Sequence, residues 1–252
     1  MKYWHMDRRY WEKIAPDYNE EIFDVLKNDS KGLIVSYVEK FAGKSKSVID
    51  IGCAIGKWLP VLSPLFKKVH AIDISVENLN IAKGLYPRLT NVAYERVDMS
   101  NPKAKITACD TAICINAILT DSLKKRIIFF DNLKKCVKRK GHLILVIPSL
   151  ESSMLTSIIR QQWNPDKDAH AVISNKKTKM QLKNLLNGNA EIDNVPTKHY
   201  LKEELDILLN NEGFKPIQFA KIEYNWNTEF LKPPKWLKEP KPWDWMVVAR
   251  KS

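Results

Sequence analysis

Val48-Ile49-Asp50-Ile51-Gly52-Cys53-Ala54-Ile55-Gly56 is the stretch on which the reading of this chain turns. An apolar run beginning at Ser47 ends in glycine, as a buried parallel strand does where it bends into a helix. Small residues at 52, 54 and 56 let the backbone approach a ligand, and the N-terminus of a following helix offers free N–H groups to it. Alone the pattern is weak, because small residues also serve tight strand–helix packing. Two later acids sharpen it. Asp73 closes the next apolar run, 23 residues after Asp50, where a carboxylate takes the ribose hydroxyls of a nucleotide. Asp98 closes a third run in Arg96-Val97-Asp98-Met99. Carboxylates at the ends of three successive strands point into one crevice.

The surrounding pattern predicts the sheet that would carry that crevice. Strands are expected over 47–52, 68–73, 91–97, 109–115 and 143–147, with helices over 55–66, 76–86 and about 122–138 between them. Ser75 is placed to cap the second helix, Pro87 to stop it, and Gly141 to end the third. Strands alternating with helices at this spacing give βαβ units, a parallel sheet and right-handed crossovers. The fold class is therefore α/β and doubly wound. Before this core, residues 7–41 read as helices interrupted near Pro16, with Ser30 as a cap. After it, helices are expected over 152–162, near 176–187 and over 201–211. Two strands follow, at 214–224 and 243–249, separated by a segment rich in Pro and Trp.

Composition limits what such a chain does. Its 252 residues are 44% hydrophobic, enough for a core, which excludes a disordered or fibrous chain. No apolar run is long enough to span a bilayer, and Met1 to His5 lacks the apolar segment of a signal peptide. Cys53, Cys109, Cys114 and Cys136 have no CxxC spacing, the pattern of reduced thiols in a cytoplasm; no metal site is expected. The net charge of +12 is uneven: residues 121–140 hold eight basic and two acidic residues, and 171–190 hold four lysines and no acid. A solvated helix face accounts for both; an acidic partner, an acidic small substrate or nucleic acid is the sharper reading. This charge is expected to lie away from the three acids.

With these residues in place, the chain from about 10 to 250 resembles the class I S-adenosylmethionine-dependent methyltransferases. The resemblance implies a Rossmann-like, seven-stranded, mostly parallel sheet with an antiparallel last strand and helices on both faces. It also implies one domain over 1–252. Within it, 1–42 would be an N-terminal helical cover, 43–150 the cofactor core, 151–200 a substrate-side insertion, and 201–252 a C-terminal helix and strand pair. Asp50, Gly52, Cys53, Ala54 and Gly56 would hold the methionine end of the cofactor, Asp73 and Ile74 the ribose, and Asp98 with Met99 the adenine. Asn116, in Ile113-Cys114-Ile115-Asn116-Ala117, matches the fourth-strand motif whose backbone lines the sulfonium pocket. Tyr18, in Trp11-Glu12-Lys13-Ile14-Ala15-Pro16-Asp17-Tyr18, matches a contact of the covering helix. Ala54 stands where the family usually has glycine, and would be strained if that position requires positive φ.

A methyl transfer from a sulfonium needs alignment, dryness and sometimes a base. His199, His170 and Tyr200 are the candidate catalytic groups. Asn116-Ala117-Ile118-Leu119 is not the Asn-Pro-Pro turn of nucleic-acid amino-methyltransferases, and no cysteine follows a proline as in carbon-5 pyrimidine enzymes. What remains is a small molecule with an oxygen, nitrogen or carbon acceptor. Trp226, Trp236, Trp243 and Trp245 either fasten a long loop to the sheet or wall an apolar or cationic acceptor. The alternatives are a tRNA or rRNA methyltransferase using the basic surface, an inactive cofactor-binding scaffold of the same fold, and a Rossmann dehydrogenase. The last lacks its GxGxxG.

Overall fold

The strands are β1 (Gly43–Ile51), β2 (Phe66–Asp73), β3 (Val92–Arg96), β4 (Cys109–Ile115), β5 (Val137–Pro148), β6 (Asn189–Ile192), β7 (Val195–Lys198), β8 (Phe214–Glu223) and β9 (Trp243–Lys251). They belong to a computed structural model that describes residues 7–18, 24–163, 184, 186–192 and 195–252. Seven of them form one sheet in the order β3-β2-β1-β4-β5-β9-β8. β1, β2, β3, β4 and β5 run parallel to one another, and β9 is inserted antiparallel between β5 and β8. The expected Rossmann-like sheet with an antiparallel last strand is what the chain forms. Strand order reverses between β1 and β4, the switch point at which a ligand crevice opens beyond the carboxyl ends of the strands.

The helices are α1 (Arg8–Ile14), α2 (Val25–Asn28), α3 (Leu33–Phe41), α4 (Leu59–Leu62), α5 (Val76–Leu85), α6 (Leu123–Cys136), α7 (Leu150–Trp163) and α8 (Lys202–Asn211). The central strands bury both faces. Val48, Ile113, Ile144, Val146, Met246 and Val248 face Ile34, Val38 and Phe41 of α3. Ile49, Ile51, Cys114, Leu145 and Val247 face Phe129, Phe130 and Leu133 of α6 and Leu205 and Leu209 of α8. Alternate residues of each strand thus enter opposite cores, which is why these runs are continuously apolar. Among the described residues no helix is long and apolar enough to cross a membrane.

Several local expectations change. The helix expected over 55–66 shrinks to the four residues of α4, closed by Pro64, which cannot donate and restricts Ser63 before it. Ser75 caps α5 as expected, its hydroxyl accepting from the Asn78 N–H at 3.1 Å. Ser30 does not cap α3; the neighbouring Asp29 carboxylate accepts from the Leu33 and Ile34 N–H groups at 3.0 and 2.8 Å. Gly141 lies inside β5 rather than in a turn ahead of it. Cys109 pairs with Val137 and Thr111 with His142, so residues of β5 bulge outward. Lys140 accordingly has φ +63, and a Cβ on Gly141 would lie 2.7 Å from the Asp110 carbonyl oxygen. The β6–β7 hairpin had no counterpart in the sequence reading, and the helix expected near 176–187 falls mostly outside the described residues.

Candidate active site

The turn after β1 is built from three residues in the left-handed region: Gly52 at φ +72, Ala54 at +47 and Gly56 at +83. Its first N–H groups stay tied to the sheet, Gly52 and Cys53 both donating to the Ile72 carbonyl at 2.9 and 3.0 Å. Gly52 is irreplaceable on space as well as conformation, because an added Cβ would lie 2.5 Å from the Ala117 Cβ. The loop after β1 therefore touches the loop after β4. The conditional strain at Ala54 is real. An L-residue in this region costs on the order of 1 kcal/mol, and the conformation is held by the Ala54 N–H donating to Asp73 Oδ2 at 2.9 Å.

The three acids end β1, β2 and the run after β3 on the carboxyl edge, and each is held differently. Asp50 is 2% exposed, and its Oδ2 has no hydrogen-bond partner. Burial, with the Asp73 charge behind it, pushes its carboxyl up to about 7. Asp73 accepts from the N–H groups of Ala54 and Ser75, the latter at 2.8 Å, and from the Asn78 amide at 3.4 Å. Burial raises its pKa and those donors hold the rise back. Asp98 is half-buried and accepts from the Ser100 N–H at 2.8 Å. It borders a cleft of about 790 Å³, lined also by Arg8, Glu12, Ile74, Thr120 and Lys125. Lys125 brings α6 to the rim of the crevice, so the basic helix is not remote from the acids as the sequence suggested.

The N-terminal segment covers this edge. Tyr18 is raised in pKa by burial and by Asp73, Cys53 and Asp50 near it, and the Lys57 ammonium lies 5.6 Å from its ring centroid. Glu12 on α1 reaches the start of α5, where its carboxylate accepts from Ser75 Oγ, the Val76 N–H and the Glu77 N–H at 3.1–3.2 Å. Burial pushes that carboxyl up, but these donors and Arg8 outweigh it and leave the pKa below its ordinary value. A helix N-terminus beside Asp73 is thus capped from 63 residues away in sequence.

A family model described as a methyltransferase domain matches residues 19–206. The chain belongs to this methyltransferase family. No curated protein matches it. Its fold is shared with solved structures of low sequence identity. A SAM-dependent methyltransferase from Anabaena variabilis has a TM-score of 0.65 at 12% identity, covering 97% of this chain and 93% of its own. The N-methyltransferase NodS from Bradyrhizobium japonicum, in complex with S-adenosylhomocysteine, has a TM-score of 0.62 at 12% identity, with 97% of both chains covered. Magnesium protoporphyrin IX methyltransferase from Synechocystis, with the same molecule bound, has a TM-score of 0.60 at 14% identity, covering 97% of this chain and 98% of that one.

In this methyltransferase the far side of the crevice is formed by the ends of β4 and β9. Asn116 leaves β4 at φ +47, and its Nδ2 donates to Asp244 Oδ2 at 2.7 Å. Met99 is buried, its carbonyl accepting from the Asn132 amide at 3.0 Å. His199 and Tyr200 lie on the run after β7, which crosses the ends of β4 and β5. Lys198 N–H donates to Leu119 O at 3.1 Å and Tyr200 N–H to Pro148 O at 2.9 Å. His199 is buried with Nδ1 3.0 Å from the Thr197 carbonyl, and burial lowers its pKa, which keeps it neutral. Tyr200 is 1% exposed, edge-on to Phe130, and burial raises its phenol. His170 lies outside the described residues.

The tryptophans divide. Trp226 stacks on Phe230 and joins Leu237 and Ile159 in a small core, which fastens the loop before β9 onto α7. Trp245 donates to Glu151 on α7 at 2.9 Å, and Trp243 carries the Lys221 ammonium 3.5 Å from its ring centroid. Trp236 remains exposed, edge-on to Trp163. Sequence reasoning missed Glu12 and Asp244 as part of the site. The signal for Asp244 was present: an acid between two tryptophans at the head of an apolar strand has no solvent to face.

Proposed function

We propose that this methyltransferase transfers the methyl group of S-adenosylmethionine to a small-molecule acceptor in the crevice beyond β1, β2 and β4. The observation that carries the cofactor assignment is Asp50, a buried carboxyl whose Oδ2 has no partner, beside a turn whose glycines leave no room for side chains. The charged form of such a group is stable only when a cation or donors arrive. The α-ammonium of the cofactor supplies one. Gly52, Cys53, Ala54 and Gly56 would pass along its methionine part, Asp73 with Ile74 would take the ribose, and Asp98 with Met99 would flank the adenine. Tyr18 and α1 would cover it. That two structural neighbours were crystallised with S-adenosylhomocysteine supports the same choice.

The cofactor supplies the electrophilic methyl when bound. The chain's own contribution is to align the acceptor and exclude water. Buried His199 is the candidate proton acceptor on the acceptor side, and Tyr200, whose buried phenol keeps its proton, is a candidate donor there. The neighbours' names include an N-methyltransferase and an enzyme of magnesium protoporphyrin, which supports a small acceptor over RNA. We further propose a cytoplasmic location, which four free cysteines support, and a single catalytic domain, which the one seven-stranded sheet supports.

The pH dependence of S-adenosylhomocysteine binding tests the role of Asp50. Asp73, Cys53, Cys114 and Tyr18 surround that carboxyl, and none supplies positive charge. A raised carboxyl pKa means that the free protein holds the proton up to about pH 7. A bound ammonium favours the ionised form and expels that proton. Affinity is therefore expected to rise with pH below 7, by up to about tenfold per unit, and to level off above it. Asp50→Asn should flatten the profile. An affinity independent of pH from 5 to 8 in the unmodified protein would remove Asp50 from the site.

A further inference from the structure

Asn116 at the end of β4, whose motif would line the sulfonium pocket with its backbone, carries a side-chain hydrogen-bond position that the cofactor assignment does not use. Asn116 is fixed from behind. Its Nδ2 is committed to Asp244, and the Tyr224 hydroxyl lies beside that acid. A carboxylate only accepts, so the Asn116 amide has one orientation, with Nδ2 toward Asp244 and Oδ1 away from it. That Oδ1 is buried and has no partner. Its neighbour Ala117 packs against Gly52, so Asn116 stands beside the glycine turn. Neither partner of Asp244 is cationic, and Arg160 instead turns its guanidinium to the Glu229 main-chain carbonyl at 3.1 Å. Burial raises the Asp244 carboxyl and the neighbouring donors hold the rise back, so an acid behind a buried carbonyl oxygen makes a spot that favours N–H donors and positive charge over anions.

We infer that Asp244 is a positioning residue that, through Asn116, presents Oδ1 to the site of methyl transfer and selects an amine as the methyl acceptor. The inference rests on the cofactor reading above. With an amine, positive charge passes from sulfur to nitrogen and is never lost, which suits a negative surrounding. With a carboxylate or phenolate acceptor, the same surrounding would oppose binding. One N–H of the amine donates to Asn116 Oδ1, which leaves its lone pair for the methyl. The N–C bond forms as the C–S bond breaks, the electron pair stays on sulfur, and the surplus proton of the product leaves to solvent.

Sinefungin tests this directly, because it is an S-adenosylmethionine analogue with a primary amine in place of the methylated sulfonium. Its affinity and that of S-adenosylhomocysteine are measured by calorimetry on the full chain and on Asn116→Ala, Asp244→Ala and Asp244→Asn. A charge-assisted hydrogen bond predicts that sinefungin binds the unmodified protein at least about tenfold more tightly. Asn116→Ala and Asp244→Ala should reduce that preference to within about threefold, read on each variant as the ratio of its own two affinities. Asp244→Asn, which keeps an acceptor but not the charge, should fall between. If Asp244→Ala fails to fold, Asn116→Ala alone decides. Equal affinity for the two ligands in the unmodified protein overturns the inference, and so does an equal loss of both in the variants. Failure of both ligands to bind the unmodified protein would instead refute the cofactor reading.

Discussion

Gly52→Ala is expected to lower the unfolding free energy by about 3 kcal/mol, from left-handed backbone strain together with overpacking of a closed contact. The two terms separate. The added Cβ meets the Ala117 Cβ at 2.5 Å, and both loops are anchored at the switch point, Gly52 to Ile72 and Asn116 to Val146 by main-chain bonds at 2.9 Å. Neither loop can withdraw without opening the sheet edge. Adding Ala117→Gly removes the clash but not the φ of +72. The double variant should therefore regain about 2 kcal/mol in denaturant titrations while remaining about 1 kcal/mol below the parent. A single variant as stable as the parent would show that these loops are not in contact.

Asp73→Ala should be the most damaging change for ligand binding. It removes the acceptor of the Ala54 and Ser75 N–H groups, both in buried surroundings, and of the Asn78 amide. Ala54 then loses the bond that holds its strained backbone, so the turn relaxes away from the geometry that admits a cofactor. Stability is expected to fall by about 2–4 kcal/mol, the cost of leaving two buried donors unpaired. Affinity for S-adenosylhomocysteine should fall by about 100-fold or more, since the carboxylate proposed to take the ribose is lost as well. Asp73→Asn, which keeps one carbonyl oxygen and the shape, should recover much of the stability and little of the affinity. Binding that survives Asp73→Ala would place the nucleoside elsewhere.

What the sequence disclosed follows from the range of the interactions involved. Asp50, the glycine turn, Asp73 and Asp98 were legible because each sits at or just beyond the end of its own strand, where local patterning and short-range turn chemistry decide the conformation. The strained φ at Ala54 was legible for the same reason. The helix expected over 55–66 is cut to α4 because Pro60 fits only the first turn of a helix and Pro64 ends it. The bulge at Gly141 depends on how β5 meets β4, and no local pattern records that register. Glu12 caps α5 from 63 residues away, and Asp244 meets Asn116 across 128 residues and an intervening strand. Such partners are fixed by the antiparallel insertion of β9 beside β5, where Asp244 comes opposite Pro148. The core-facing half of the site could be read in the sequence, and the half assembled by tertiary contact could not.

Calorimetric titration of the full chain with S-adenosylhomocysteine and, separately, with NADH tests most directly which cofactor the crevice beyond β1 and β2 holds. The geometry at Gly52, Ala54, Gly56, Asp50 and Asp73 predicts saturable binding of S-adenosylhomocysteine at one molecule per chain, with NADH far weaker. Tighter binding of NADH, or no binding of S-adenosylhomocysteine, would contradict it.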